Sequence, residues 1–263
     1  MDEPFPFPDV PAVPPSPAPP PLGGGRDGAG PDVRGGRAPT EKLPLGGMGL
    51  PLILFVLSVW FWHSPLVYPI KILTVFFHEL SHGLAAVATG GRMHAIELTA
   101  DQGGLCWTAG GITWIILSAG YLGSLLWGSG LLWLAAKTRW DREIVQGLGL
   151  LLIGVTAVYV RTWFGLAFGL GFGLALLALA RHFGAVVCDQ FLRYIGLTSS
   201  FYVILDIKSD LIDRSIPQSD AFRLGEMIHL PGWVVGVGWM VVAIWLTVRV
   251  LESTMTSDPG SRV

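Results

Sequence analysis

The sequence predicts an all-α polytopic membrane protein with about six transmembrane helices and one small membrane-associated β-hairpin. Three observations carry this. Charged residues make up 14% of the 263 positions against 51% hydrophobic, whereas ordinary soluble domains carry roughly 25% charged residues. The charges are clustered, leaving long blocks with none. Most of those blocks come close to the ~20 apolar residues a helix needs to cross a hydrocarbon core about 30 Å thick. The mean hydropathy of +0.56 agrees. A net charge of −2 offers no basic field, so nucleic acid is not an expected partner. Cys106 and Cys188 show neither CxxC spacing nor a disulfide framework and read as small apolar residues of membrane segments.

Residues 1–45 form a separate region. They hold 13 of the 19 prolines together with Gly23-Gly24-Gly25 and Gly35-Gly36, and no apolar periodicity. Such a segment cannot bury enough surface to offset its ordering entropy, and a disordered tail is expected. A signal peptide is not expected, because the first apolar block starts late and behind this tail. The body, 46–252, contains candidate spans at about 49–63, 66–88, 112–135, 144–160, 163–180, 184–205 and 231–250, and a short polar tail, 253–263, follows. The first block is short, and the sixth is irregular because it carries Asp189 and Arg193, so six crossings are expected. Backbone groups in lipid must be satisfied internally, which leaves helices as the economical solution.

The short basic loop Lys137-Thr138-Arg139-Trp140-Asp141-Arg142 belongs in the cytoplasm by the positive-inside rule. Counting back through every block puts the N-terminal tail outside, although Arg34, Arg37 and Lys42 precede the first block. One crossing is therefore miscounted, or one segment is re-entrant. Between the second and third blocks, Met93–Leu98 alternates in part, with Ile96 and Leu98 on one face beside His94. The turn candidate Asp101-Gln102-Gly103-Gly104 and then Leu105-Cys106-Trp107-Thr108 follow, so a β-hairpin is expected.

The second block contains His78-Glu79-Leu80-Ser81-His82, an HExxH pattern. Side chains four apart share a helix face, so both imidazoles can hold one metal ion, with Glu79 beside them as general base. Given 6 His in the chain, chance supplies ~0.004 such patterns. Ionised groups at membrane depth cost on the order of 3 kcal/mol each, and a Zn²⁺ ion would offset that. The other histidines, His63, His94, His182 and His229, lie at boundaries or in the hairpin and read as interfacial. A catalytic zinc ordinarily has three protein ligands and an open position. Asp206, directly after the apolar run Phe201–Leu205, is the expected third ligand. Asp210, one turn further, is the alternative or a group orienting a ligand, and Asp101 and Glu97 are residual options. Glu143, Glu226 and Glu252 lack a comparable setting.

These features together resemble the site-2 protease family of intramembrane zinc metallopeptidases, in its compact branch. The likeness rests on His78-Glu79-Leu80-Ser81-His82 on an early membrane helix, the hairpin-like stretch after it, the small-residue helix around Leu117–Ser124, Leu205-Asp206 late in the chain, and Ser219-Asp220-Ala221 beyond it. It covers about residues 48–250. The resemblance implies zinc bound by His78, His82 and Asp206, Glu79 as general base, and hydrolysis of a peptide bond in a membrane-protein substrate within or near the bilayer. The chain departs from the family in having Ser199-Ser200 where Asn and Pro are usual, and Ile207 in place of a Gly after Leu205-Asp206. A zinc-binding membrane scaffold and an ion-translocating transporter using His78, Glu79 and Asp206 are the alternatives. Gly120, Ser124 and Gly128, and again Gly165, Gly169 and Gly173, fall four apart and suit close helix packing in lipid. Which membrane holds the protein, bacterial inner or eukaryotic, is open at this level.

Overall fold

The structure is a computed structural model that describes residues 47–62, 64–208 and 219–255. The proline-rich tail, His63, Asp210 and the chain beyond 255 lie outside the described residues. Among the described residues, the chain forms eight helices and one antiparallel pair of strands: α1 (Gly49–Trp60), α2 (Tyr68–Ala88), β1 (Arg92–Leu98), β2 (Gly104–Ala109), α3 (Thr113–Lys137), α4 (Asp141–Tyr159), α5 (Trp163–His182), α6 (Ala185–Lys208), α7 (Asp220–Ile228) and α8 (Gly232–Met255).

Five of these helices, α2, α3, α4, α5 and α8, are long and apolar enough to cross a membrane. Local chemistry sets several of their ends. Pro69 stands in the first turn of α2, where a missing N–H costs nothing. The Thr162 hydroxyl accepts from the Gly165 N–H at the start of α5. Asp141 and Glu143 sit in the first turn of α4, and Arg181 and His182 in the last turn of α5, each sign matching the helix dipole.

The sixth long helix, α6, is too polar to stand with these five, and its polarity is directed inward. Arg193, 1% exposed, donates to Asp189 (2.9 Å) and to the Ala135 carbonyl at the end of α3 (3.0 Å). Gln190 donates to Asp189 (3.0 Å) and to the Gly47 carbonyl (3.2 Å). The irregularity of the sixth block is thus an internal ion pair with its hydrogen bonds supplied, which is the condition under which a buried charge pair is tolerated.

The same contacts bring several helix ends together. Gly47, the start of α6 and the end of α3 meet at one end of the bundle. The end of α2 adjoins the start of α3, where the Ile112 N–H donates to Thr89 Oγ1 (2.9 Å), so α2 also begins at the Gly47 end. Helix α1 packs along α6, where the Ser58 hydroxyl meets the Tyr194 hydroxyl (2.7 Å) and Phe55 meets Phe201. Its 12 residues reach about 18 Å at 1.5 Å per residue, short of the ~30 Å core. A helix of that length fits the alternative that one segment does not cross.

Helix α2 is the central element, with Ile72, Leu73, Phe76 and Phe77 wholly enclosed. The glycine stripe of α3 divides between two partners. Gly120 packs against His78 and His82 and Gly123 against Ser81, all on α2, whereas Gly128 meets Ser200 and Gly196 on α6. Gly165, Gly169 and Gly173 form a packing seam of α5, the last two against Thr156, Gly149 and Ile153 of α4.

The hairpin folds back along α2, since the Tyr68 hydroxyl donates to the Ala100 carbonyl at its tip (2.6 Å). Ile96 and Leu98 share a face, which is buried, but His94 is exposed. The register shifts between Met93 and Ala95, and such a bulge moves the residues before it out of phase. β1 is the inner strand. Beyond its pairing with β2, the Ile96 carbonyl accepts from Arg161 N–H (3.1 Å), and Leu98 exchanges bonds with Thr162 Oγ1 (3.2 and 2.8 Å). Among the described residues β2 pairs with β1 alone.

Candidate metal centre

On α2 the four-residue spacing of HExxH places His78 and His82 on one face, and their rings stand 4.8 Å apart between centroids. Both Nε2 atoms lie 3.0 Å from one oxygen, Asp220 Oδ2. The three donor atoms fall within 4.8 Å of one another, the described group able to hold a metal ion. Asp220 is the first residue of α7, where a carboxylate is favoured by the helix dipole.

The surroundings orient this group. The His82 Nδ1–H donates to the Ile116 carbonyl (2.7 Å), which fixes the tautomer that leaves Nε2 its lone pair. The Tyr121 ring meets His78 edge to face, centroids 4.8 Å apart. On α3, a methyl group at Gly120 would lie 2.6 Å from His82 Nε2 and closer still to His78 Nε2. The absence of a side chain there keeps open the space between the two imidazoles, a cradle that a Cβ would fill. Two imidazole nitrogens and a carboxylate oxygen are a donor set that zinc accepts, so the residues present fit the ion.

Glu79 is buried beside the imidazoles and accepts a hydrogen bond from the backbone of Cys106 on β2. Gly104 of β2 presses directly on it, since a methyl there would stand 2.5 Å from Glu79 Oε1. Burial, with the Glu79 carboxylate adding to it, pushes the Cys106 thiol up to about 12, so Cys106 does not offer a thiolate at neutral pH.

These groups line a cavity of about 660 Å³ bounded by α2, β2, α3, α6 and α7. Of the expected residues, His78, His82 and Glu79 come together in it. Asp206, expected as third ligand, lines the cavity from α6, but the carboxylate at ligand distance is Asp220. The reason is geometric: α6 continues as a helix past Asp206 to Lys208, which keeps Asp206 on the cavity wall, while α7 begins with Asp220 against the two imidazoles. Glu97 bonds the Trp107 indole (3.0 Å) on the hairpin, and Asp101 sits in the turn. His94, His182 and His229 lie outside the group, His229 as the left-handed C-cap of α7. A signal for Asp220 does exist in the sequence, a Ser-Asp pair at a helix start.

A helical bundle with five helices able to span a membrane thus brings an HExxH pair and a carboxylate together in a hairpin-lined cavity. The family model described as Peptidase M50B-like matches residues 52–250, and the chain belongs to that family. No curated protein and no solved structure matches it. It is thus a multi-pass membrane protein of a peptidase family.

Proposed function

We propose that this chain is a zinc-dependent intramembrane metalloprotease that hydrolyses a peptide bond of a membrane-protein substrate within or near the bilayer. The observation that carries the reading is the convergence of both HExxH imidazoles on Asp220 Oδ2, with Glu79 beside them. His78, His82 and Asp220 would hold the ion. When bound, zinc supplies Lewis-acid polarisation of a carbonyl and lowers the pKa of water to about 7. Glu79 is placed to take the proton of the attacking water and return it to the leaving nitrogen. Its burial, and the backbone bond from Cys106, hold its carboxylate in one place.

A transmembrane helix hides its carbonyls in hydrogen bonds and must become extended before attack. β2 supports that requirement, because it lines the cavity and an unpaired strand edge can add an extended peptide. The edge in question belongs to β2. Ile96 and Leu98 lie on the inner strand, buried and bonded to the α4–α5 connection, so proline at either position would break the core and would not test the edge.

The decisive experiment is Glu79→Gln in purified, detergent-solubilised protein, with cleavage of membrane-spanning peptides and bound metal measured together. The variant should keep its zinc and lose about 10²- to 10⁴-fold in rate. Cleavage at the wild-type rate would overturn the assignment, and a wild type that holds zinc but cleaves nothing would favour a scaffold.

A further inference from the structure

The start of α7 lines the cavity with polar groups that the metal-binding group does not use. Ser219 precedes Asp220 with extended backbone (φ −66°, ψ 154°), and its carbonyl accepts the first helical bond, from the Arg223 N–H (3.0 Å). A serine in this place ordinarily turns its hydroxyl onto an N–H of the first helical turn. Ser219 does not. It is 8% exposed, its Oγ has no hydrogen-bond partner among the described residues, and it lines the cavity that holds His78, Glu79 and His82. A buried hydroxyl without a partner is costly unless a ligand supplies one.

Arg223 lies one turn further along α7, is exposed, and lines the same cavity. Among the described residues its guanidinium has no carboxylate within ion-pair distance. The first N–H groups of α7 also lack intrahelical acceptors, as at any helix start, and carry the positive end of its dipole. Ser199 and Ser200 on α6 are wholly buried, with Ser199 accepting from Thr74 (3.1 Å) and Ser200 donating to the Gly196 carbonyl (2.9 Å).

We infer that Ser219 and Arg223 bind the scissile carbonyl oxygen of the substrate and stabilise the charge that develops on it. The inference rests on the hydrolase reading given above. When water adds to the carbonyl carbon, one of its protons passes to Glu79 and the carbon–oxygen π pair moves onto oxygen, which becomes the anion these donors meet. When the carbon–nitrogen bond breaks, that pair re-forms the carbonyl and the leaving nitrogen takes the proton from Glu79. Donors aimed at such an oxygen act in the transition state more than in the ground state.

The test uses zinc-loaded full-length protein in detergent, with a fluorescence-quenched Leu/Ala-rich transmembrane peptide library as substrate and the phosphinic isostere of Leu-Leu as a tetrahedral anionic probe. Ser219→Ala and Arg223→Gln should each keep one zinc per chain, lower kcat about 10²- to 10³-fold with KM little changed, and weaken the phosphinic probe by a similar factor. Arg223→Lys should restore part of both losses. Variants that cleave and bind the probe as wild type would overturn the inference while leaving the protease reading intact. Loss of zinc in both would also overturn it, because the residues would then serve to hold Asp220. A zinc-loaded wild type without turnover would remove the protease reading itself, an outcome distinguished by the wild-type control alone.

Discussion

Asp220→Ala should strip the protein of bound zinc, whereas Asp206→Ala should retain it, when metal content is measured on purified protein beside His78→Ala. The expectation follows from Asp220 Oδ2 standing 3.0 Å from both Nε2 atoms, while Asp206 borders the same cavity without joining the ligand group. Zinc retained in Asp220→Ala and lost in Asp206→Ala would restore the ligand set expected from the sequence. The grouping of His78, His82 and Glu79 was legible because HExxH is a local pattern: helix geometry alone decides that residues four apart share a face. The carboxylate that meets the imidazoles was not. Asp206, Asp210 and Asp220 all follow the same apolar run, and nothing in their spacing states which helix will stop and which will turn back toward the imidazoles.

At the scale of elements, the hairpin was legible in outline and its edges were not. Turn residues and partial alternation located both strands, but only the contacts of Ile96 and Leu98 with Arg161 and Thr162 show that β1 is the covered strand and β2 the open one. If β2 receives substrate as an added strand, N-methylation of backbone nitrogens flanking the cleaved bond should raise KM. Each lost hydrogen bond is worth about 0.5–1.5 kcal/mol, so a several-fold rise in KM per position is expected in steady-state kinetics, and an unchanged KM would exclude edge pairing. The small-residue stripe of α3 shows a similar limit. Its four-residue period predicted close packing, yet the division of that stripe between α2 at Gly120 and α6 at Gly128 depends on where three helices cross.

At the scale of the whole molecule, sidedness follows from the number of helices that cross. If α6 crosses together with the five long apolar helices, four crossings, an even count, separate the basic loop at 137–142 from the end of α8, and the two share a face. Single cysteines at Arg139 and Glu252, in a background lacking Cys106 and Cys188, should label from one side of sealed vesicles, and a cysteine at Glu226 from the other. The basic side is expected to be cytoplasmic. Labelling of Arg139 and Glu252 from opposite sides would contradict the even count. What the sequence by itself determined were the properties that depend on neighbours along the chain: scarce and clustered charge, helix-length apolar blocks, and an HExxH face. The tertiary structure decided those that depend on the return of the chain. It turned the Asp189–Arg193 pair inward and placed Asp220 at the imidazoles, because each requires contacts between segments far apart in sequence that local periodicity does not encode.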